Sequence, residues 1–450
     1  MTKDIPEPRS RQVPRGRLAR FGQFGRLAGS VTGSILIDGA RRLAAGERPH
    51  LRDLVLTPAN FGRLADRLSH LRGAAMKLGQ MISMDAGDLL PAGLSQILER
   101  LRDNAHHMPH AQLQQVLARE WGPDWRTRFA QFETRPIAAA SIGQVHRAVT
   151  SDGRELAIKV QYPGVRESID ADVDNVATLL RMSGVLPKGF DITALLAEAK
   201  SQLAKEADYE LEGQQMALFG RLLADTPQVV VPALDSELTT SRVLAMTFLE
   251  SQPIETLETA PQAARDLAMQ TLLQLVLREL FEFGVMQTDP NFANYRIQPN
   301  TNRLVLLDFG AARSVSTDTA LGYRRLLSAG LAGDRRAVLE AAVDTGFLGP
   351  TAVARHSPRI EQMIDVILGE LNRPGLFDFG DRRFIAALRD QSVEIIADRG
   401  AWHLPPADLL FAQRKISGMA LLAARLKARV DVKMLAQHWL DGWASPGKAG

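Results

Sequence analysis

The sequence contains no cysteine among its 450 residues. This absence excludes disulfides, thiolate metal sites, iron–sulfur clusters and cysteine nucleophiles, and it is compatible with a reducing compartment. No run approaches the roughly 20 uninterrupted apolar residues that a membrane-spanning helix needs, because charged residues interrupt each candidate run. We also expect no signal peptide, since the Arg-rich start is followed by glycines and scattered apolar residues rather than by one compact hydrophobic segment.

An excess of one charge sign is nearly absent as well. The chain has 54 Lys+Arg and 51 Asp+Glu, a formal net charge of +3. Residues 1–50 hold ten basic and four acidic side chains, a balance of +6, so residues 51–450 carry 44 basic and 47 acidic side chains, a balance of −3. The small net charge therefore combines a basic N-terminal segment with a slightly acidic remainder.

The basic N-terminal segment also contains regularly spaced apolar residues. Phe21, Phe24 and Leu27 alternate with Arg17, Arg20 and Arg26. This pattern predicts an amphipathic segment at an anionic lipid surface, although the glycines in it equally allow a disordered arm. We expect no nucleic-acid binding, because the segment lacks lysine clusters, aromatic stacking residues and a recognisable module.

The length predicts two or three domains, and the elements change in type along the chain. Helical periodicity covers residues 57–103 and 110–120, and short strands follow at 129–133, 144–149 and 155–161, the last two joined as a hairpin. Helices return at 170–182 and 192–223, then strands at 228–231 and 242–247, a helix at 260–283 and a buried strand at 304–307. Beyond residue 317 the pattern is almost entirely helical.

The strongest chemical signal is a loop followed by a strand end. Asp289 is followed five residues later by Asn294, and Asp308 comes nineteen residues after Asp289, in Leu307-Asp308-Phe309-Gly310. This spacing is typical of a kinase catalytic loop and its metal-binding turn. Asp308 and Asn294 offer the hard oxygen ligands that Mg²⁺ prefers, and Asp289 would orient or deprotonate the attacking hydroxyl or water.

Upstream residues fit the same pattern with one departure. Lys159 lies on a strand that follows a hairpin, as a phosphate-binding lysine should. Where kinases have a glycine-rich loop, however, this chain has Ala138-Ala139-Ala140-Ser141-Ile142-Gly143-Gln144. Backbone N–H groups of such a loop could still face phosphate, but the methyl groups limit a close approach, and ordinary strand packing is the alternative.

A carboxylate partner for Lys159 is expected on a neighbouring helix. Residues 204–212 offer Glu206, Glu210 and Glu212. On one continuous helix Glu206 and Glu210, spaced i,i+4, would share a face, whereas Glu212 would point about 240° round the helix from Glu206. A solvated acidic face is the alternative interpretation.

These motifs resemble those of the UbiB/ADCK family of atypical kinases, also called aarF-domain kinases, and within it the coenzyme Q branch of mitochondria and alphaproteobacteria. The resemblance runs from about residue 55 to residue 440. Its most specific element is Lys77-Leu78-Gly79-Gln80, which ordinary kinases lack, and Glu206-Ala207-Asp208 matches the family's Glu-x-Asp motif. Other members have His at the positions of Gln287 and Asn291, which discourages any catalytic histidine there.

The resemblance implies an α+β, bilobal kinase-like fold with a β-rich N-lobe, a helical C-lobe and an N-terminal helical extension over the active site. The implied division is a basic arm or membrane-surface segment at 1–50, the extension at 51–125, the N-lobe at 126–250 and the C-lobe at 251–450. It further implies that Lys77, Gln80, Glu206 and Asp208 are regulatory, and that Glu212 pairs with Lys159. Nucleotide would be bound by the backbone and side chains of Ala138, Ala139, Ala140, Ser141, Gly143 and Lys159.

The implied activity is that of a MgATP-binding kinase or ATPase that supports ubiquinone biosynthesis, with water or a small lipid-like molecule as acceptor. Peptides are poorly served, because no Ala-Pro-Glu and no long activation segment follow Gly310. Expected partners are ATP, an anionic lipid surface, quinone intermediates and other quinone-pathway enzymes; the oligomeric state is open and a dimer is allowed. The expected location is cytoplasmic and peripheral to the inner membrane.

Two other functions are compatible with the sequence. One is a small-molecule phosphotransferase of the aminoglycoside or choline kinase type, which the Lys77/Gln80 motif disfavours. The other is a non-catalytic, nucleotide-gated lipid-binding scaffold for quinone-pathway enzymes. ATP turnover with and without anionic liposomes separates this scaffold from an enzyme.

Overall fold

The computed structural model describes residues 108–140, 142–182, 193–381, 383–401, 403 and 405–441. The chain folds into two compact units. The first reaches to Ala217 and adds Pro232–Leu249, and the second comprises Leu218–Val231 and the chain from Glu250 onward. The predictions for the basic arm, for Lys77 and Gln80, and for Ser141 lie outside the described residues. The division into four parts stays a prediction.

The first unit is built on an antiparallel sheet. After helix α1 (His110–Trp121), the strands are β1 (Phe129–Phe132), β2 (Ala138–Ala139), β3 (Gly143–Thr150), β4 (Glu155–Gln161) and β6 (Val243–Thr247). Their order is β1-β3-β4-β6, with β2 paired to the other end of β3. The predicted β3–β4 hairpin is present, and Gly153 at its turn has a φ of +89°, a conformation that glycine adopts without strain.

Burial explains why these residues form a central sheet. Strand β4 alternates little: six of its seven residues are buried or half-buried, with only Glu155 exposed, as expected for a strand covered on both faces. The aromatic residues of one core cluster include Trp121, Trp125 and Phe129, and the Trp121 indole N–H donates to the backbone carbonyl of Leu238 at 2.9 Å. The sheet is therefore packed tightly enough to hold the side chain of a strand residue in one position.

The helices of this unit differ from the prediction at one point. They are α2 (Val165–Met182), α3 (Thr193–Glu206) and α4 (Tyr209–Leu222), and α4 continues into the second unit. We predicted one continuous helix over residues 192–223, but the chain breaks at Ala207 and Asp208. The break is an N-cap: the Asp208 carboxylate accepts a hydrogen bond from the backbone N–H of Leu211 at 3.2 Å, and this side-chain bond favours a new helix start.

The second unit is mainly helical, with short strands at several places along it. The helices are α5 (Gln262–Arg278), α6 (Thr317–Leu331), α7 (Arg335–Asp344), α8 (Pro350–Leu371), α9 (Arg383–Ala397), α10 (Ala407–Leu426) and α11 (Val432–Asp441). The strands are β5 (Val229–Val230), β7 (Gln252–Pro253), β8 (Val285–Gln287), β9 (Tyr295–Ile297), β10 (Leu304–Leu306), β11 (Ala312–Ser314), β12 (Phe377–Asp378) and β13 (Arg429–Val430).

Two small sheets of this unit frame the loop that carries Asp289. Strands β5, β10, β9 and β7 form one sheet in that order, and β8 pairs antiparallel with β11. Between β8 and β9 lie the seven residues 288–294. One unit with an antiparallel sheet and one mainly helical unit confirm the predicted α+β class. Within the described part of the chain, no helix is both long and apolar enough to cross a membrane.

Candidate active site

Lys159 is held in the middle of strand β4 by a buried ion pair. It pairs in register with Val145 on β3 and with Leu244 on β6. Its Nζ donates to both carboxylate oxygens of Glu212, at 2.7 and 2.8 Å. Glu212 is 1% exposed and Lys159 is 8% exposed. A buried charge needs such a partner, so the ion pair fixes the ammonium group in position.

Glu212 reaches Lys159 because of the break between α3 and α4. A single helix would have set the directions of Glu206, Glu210 and Glu212 by their spacing alone. Instead Glu206 ends α3, while Glu210 and Glu212 lie in the first turn of α4, where the helix dipole favours carboxylates. Of these three, the structure places Glu212 on Lys159, leaves Glu210 exposed and buries Glu206 at the end of α3.

Tyr209, to which the sequence pattern assigned no role, contributes to the same arrangement. It is 0% exposed, and the Lys159 Nζ lies 5.0 Å from the centre of its ring, a cation–π contact. It is the first residue of α4, so the Asp208 cap also sets its position. Its place directly after the Glu-x-Asp motif was the one signal in the sequence.

The alanine-rich segment ends in a glycine that has no room for a side chain. A Cβ on Gly143 would lie 2.5 Å from the Val160 carbonyl oxygen and 2.7 Å from the Tyr209 hydroxyl. The Gly143 carbonyl accepts from the Ala140 N–H at 2.9 Å, which closes a tight turn. Ala138 and Ala139 form β2 and expose their methyl groups. A nucleotide-binding role for the segment stays a prediction.

The loop that carries Asp289 is ordered by its own polar side chains. The Asp289 Oδ1 accepts from the Asn291 N–H at 3.3 Å, and the Asn291 Oδ1 accepts from the Ala293 N–H at 3.2 Å. The Asn294 Nδ2 donates to the Asp289 carbonyl at 3.4 Å. This bond uses the amide nitrogen of Asn294, so the amide oxygen, the atom that a cation would need, is not consumed by it.

Asp308 follows strand β10 and lies close to Asn294 along the backbone. The N–H of Leu307, the residue before Asp308, donates to the Asn294 carbonyl at 3.2 Å. The Asp308 Oδ1 accepts from the Gly310 N–H at 3.0 Å, which forms the turn. Phe309 is buried against Phe219 of α4, with ring centres 5.1 Å apart. The structure therefore brings together the two residues predicted as cation ligands.

The described residues contain no group of three or more His, Cys, Asp or Glu that could hold a metal ion alone. Asp308 and Asn294 supply one carboxylate and one amide oxygen. Such a pair suits Mg²⁺, which usually keeps several waters and takes its other ligands from substrate phosphates. The donor set therefore fits a nucleotide-bound Mg²⁺.

Beneath this loop the structure reveals charged residues that sequence reasoning missed. Glu279 and Lys415 are 0% and 1% exposed and approach each other to 3.4 Å. Burial raises the pKa of the Glu279 carboxyl. Burial has the largest single effect on the Lys415 ammonium and would lower its pKa, but the charges and hydrogen bonds of Glu279 and Tyr295 together outweigh it, and the pKa is raised. The one available signal was a lysine in an otherwise largely apolar helix.

Comparisons with known proteins agree with this geometry. The ABC1 atypical kinase-like domain matches residues 100–342. The mitochondrial atypical kinase COQ8 of Saccharomyces cerevisiae is 37% identical over 431 residues, which cover 95% of this chain and 85% of that protein. The mitochondrial atypical kinase COQ8B of Rattus norvegicus is 39% identical over 442 residues, covering 97% of this chain and 83% of that protein.

A solved structure supports the same assignment. The complex of Rv3197 with erythromycin from Mycobacterium tuberculosis matches with a TM-score of 0.60 and 27% identity, over 86% of this chain and 96% of that one. The likeness therefore extends from local motifs to the course of most of the chain. The chain belongs to the ABC1 atypical kinase-like family, within which it is similar to the COQ8 kinases.

Proposed function

We propose that this protein binds MgATP as an atypical kinase or ATPase and supports ubiquinone biosynthesis at a membrane surface. One observation carries the proposal: the first unit holds the Lys159–Glu212 ion pair, and the second holds Asp289, Asn294 and Asp308 on one ordered loop and its neighbouring turn. The similarity to COQ8 kinases over most of their length supports the ubiquinone role.

The proposed role of Lys159 is to bind the α- and β-phosphates of ATP. Glu212 holds the ammonium in one orientation through two short hydrogen bonds. Because the ion pair is buried, water and salt screen the attraction between the Lys159 ammonium and phosphate less than they would for a surface lysine. Glu212 acts through Lys159, so it is a positioning residue.

Asp308 and Asn294 are the proposed ligands of Mg²⁺. The ion would neutralise charge on the phosphates during transfer. Asp289 is the proposed group that orients or accepts a proton from the attacking hydroxyl or water. Its hydrogen bond from the Asn291 N–H holds one carboxylate oxygen, so the carboxylate has a defined orientation before any acceptor binds.

The proposed acceptor is water or a small lipid-like molecule rather than a peptide. Helix α6 begins at Thr317, only seven residues after Gly310, and β11 occupies Ala312–Ser314 between them. A peptide-binding activation segment has no length of chain in this interval. The predicted contribution of Lys77 and Gln80 to the same selectivity remains part of the proposal.

The nucleotide role is tested with the Asp308→Asn variant. We expect ATP with Mg²⁺ to raise the melting temperature of the wild type, because a ligand at 100 times its Kd stabilises by about 2.7 kcal/mol. Asp308→Asn should lose the Mg²⁺-dependent part of this shift. Asp318→Asn, an exposed carboxylate in the first turn of α6, is the matched control and should keep it. A full Mg²⁺-dependent shift in Asp308→Asn contradicts the metal role.

The pathway and the chemistry are tested together in cells. Quinones are measured in a strain that lacks the chromosomal copy and is complemented with wild type, Asp289→Asn or Asp318→Asn. We expect only Asp289→Asn to fail. Complementation by Asp289→Asn, together with no ATP hydrolysis by the wild type on anionic liposomes, would instead support a nucleotide-gated scaffold.

A further inference from the structure

A buried polar cluster, formed by Glu279, Gln287, Tyr295 and Lys415, lies beneath the loop that carries Asp289. All four side chains are at most 5% exposed. The Lys415 Nζ donates to the Tyr295 hydroxyl at 2.8 Å and to the Gln287 Oε1 at 3.1 Å. The Tyr295 hydroxyl in turn donates to the Gln287 Oε1 at 3.3 Å. Lys415 therefore joins two other side chains in one closed set of hydrogen bonds.

The two acceptors of Lys415 flank the loop on either side. Gln287 is the last residue of β8, and Tyr295 is the first residue of β9, so the seven residues 288–294 begin and end at groups bound to one ammonium. The Gln287 end of the loop is held by Glu279 as well, because the Glu279 Oε1 accepts a hydrogen bond from the Gln287 backbone N–H at 3.2 Å. The distance between the two ends of the loop is thus set by a single side chain from α10.

Helix α10 approaches this region at two further places. Gly418 follows Lys415 by three residues, on the same face, and a Cβ there would lie 2.2 Å from the Cβ of Pro290 in the loop. Phe411 lies four residues before Lys415, and the centre of its ring is 3.7 Å from the guanidinium carbon of Arg313. Arg313 belongs to β11, the strand that pairs with β8. One face of α10 therefore meets the loop at Pro290, the two residues that flank the loop, and the strand that pairs with β8.

Stability alone does not account for this choice of residues. A buried ion pair is often no more stabilising than apolar residues of the same volume, because desolvation offsets the attraction. The cluster also leaves two polar atoms without a hydrogen bond among the described residues, the Gln287 Nε2 and the Glu279 Oε2, although the Glu279 Oε2 lies 3.4 Å from the Lys415 Nζ. An ammonium can only donate, so Lys415 forces Gln287 to present its oxygen. The Gln287 side chain therefore keeps this orientation although its amide nitrogen has no hydrogen-bond partner among the described residues.

The backbone at Glu279 has an unusual conformation. Helix α5 ends at Arg278 and continues as a single π-helical turn over Glu279–Phe283. Short π-helical turns are rare and occur frequently at functional sites, since the wider turn redirects side chains. The irregularity begins at the residue that pairs with Lys415.

We propose that Lys415 is a positioning residue for phosphoryl transfer, which acts by fixing both ends of the loop that carries Asp289 and Asn294. This inference rests on the proposed function, because it assigns the loop a part in catalysis. It adds a residue more than a hundred positions away in the sequence. Lys415 would touch neither nucleotide nor acceptor, and its effect would pass through Gln287 and Tyr295.

The main test is the double variant Glu279→Gln/Lys415→Met. Removing Lys415 alone would strand a buried carboxylate and could unfold the protein, whereas the double variant is neutral at both positions. We expect its melting temperature to stay within about 4 °C of the wild type. We expect kcat for ATP turnover to fall at least 10-fold with the KM for ATP changed less than about 3-fold, since small displacements of catalytic groups have effects up to ~100-fold.

A second variant removes one hydrogen bond and keeps the ion pair. Tyr295→Phe deletes the hydroxyl that Lys415 binds, and we expect a smaller loss of kcat, about 3- to 10-fold. Tyr323→Phe is the matched control. Tyr323 is also buried in the second unit, but its hydroxyl has no hydrogen-bond partner among the described residues, so its removal should leave kcat unchanged.

Amide hydrogen exchange separates this inference from the proposed function. The N–H groups of Thr288, Asn294 and Leu307 are hydrogen-bonded in and beside the loop. We expect faster exchange at these three positions in the double variant, with the rest of the second unit unchanged. If the wild type shows no ATP turnover, the proposed function fails, and the exchange result still decides whether Lys415 holds the loop. Wild-type kcat in the double variant, or faster exchange spread over the whole unit, overturns the inference.

Discussion

At the scale of single residues, the site contains a few positions at which the surrounding atoms allow only one arrangement. Gly143 illustrates this on the first unit, because even one added carbon would meet the Val160 carbonyl oxygen and the Tyr209 hydroxyl. Lys159 is fixed by attraction rather than by crowding, since its buried ammonium group donates to both carboxylate oxygens of Glu212. Crowding and charge pairing together fix the ammonium group.

The Glu212→Gln variant tests this ion pair. It keeps the shape of the side chain but removes the negative charge, so the buried Lys159 ammonium loses its neutralising partner. We expect the free energy of unfolding to fall by about 3–5 kcal/mol and the affinity for ATP to fall as well. Chemical denaturation and nucleotide titration measure the two effects.

Glu210→Gln is the control for that experiment. It makes the same chemical change in the same helix turn, but Glu210 is exposed. Its stability should stay within about 0.5 kcal/mol of the wild type. Equal losses in the two variants would mean that the charge of the helix start, rather than the pairing with Lys159, matters for stability.

At the scale of secondary-structure elements, the break between α3 and α4 decides which carboxylate meets Lys159. The Asp208 side chain caps α4, and Tyr209 and Glu212 lie in the first turns after it. A small change at the cap would therefore move two residues that contact Lys159. The Asp of the Glu-x-Asp motif has a structural explanation in this cap, beside the regulatory role that the family resemblance implies.

The variants Asp208→Ala and Asp208→Asn test the cap. Alanine removes the hydrogen-bond acceptor, and we expect a loss of about 1 kcal/mol in stability, with weaker ATP binding as Glu212 shifts. Asparagine can still cap a helix, so Asp208→Asn should retain most of both. Thermal unfolding and nucleotide titration are the measurements. A defect in Asp208→Asn as large as that in Asp208→Ala would show that its charge matters, for example toward Arg166 at 3.6 Å, rather than its cap.

At the scale of the whole molecule, the balance of charges is uneven along the chain. The first 50 residues carry +6 and the remainder −3. Basic residues near an anionic membrane each contribute about 1 kcal/mol of binding, and interleaved apolar residues add to it. This distribution supports a peripheral membrane contact made by the N-terminal segment.

Co-sedimentation with liposomes tests that contact. Deleting residues 1–48 should abolish sedimentation with vesicles that contain anionic lipid. Replacing Arg17, Arg20 and Arg26 with glutamine should weaken binding on the order of 100-fold, because three favourable charges are lost. Neutral vesicles and high salt are the controls, and both should reduce wild-type binding. Unchanged sedimentation of the deletion variant would show that the contact lies elsewhere in the chain.

Much of the fold and of the site could be predicted from short-range patterns. The β3–β4 hairpin, the helical second half and the α+β class follow from alternation, helical periodicity and turn residues, which are local properties. The positions of Asp289, Asn294 and Asp308 follow from spacing within one loop and one strand end. The bounds of α3 and α4 did not follow, because capping by Asp208 competes with a helical pattern that continues through it.

The sequence by itself determined the class of fold, the family motifs and the residue types available for nucleotide chemistry, because these are encoded within a few residues of each other. Only the tertiary structure showed the break between α3 and α4 that brings Glu212, the partner that the family resemblance implied, to Lys159, and only it revealed Lys415 beneath the loop. Lys415 lies 128 residues from Gln287. Contacts between distant segments leave no periodic signal in a single sequence, and they form only when the folded chain brings the partners into one buried place.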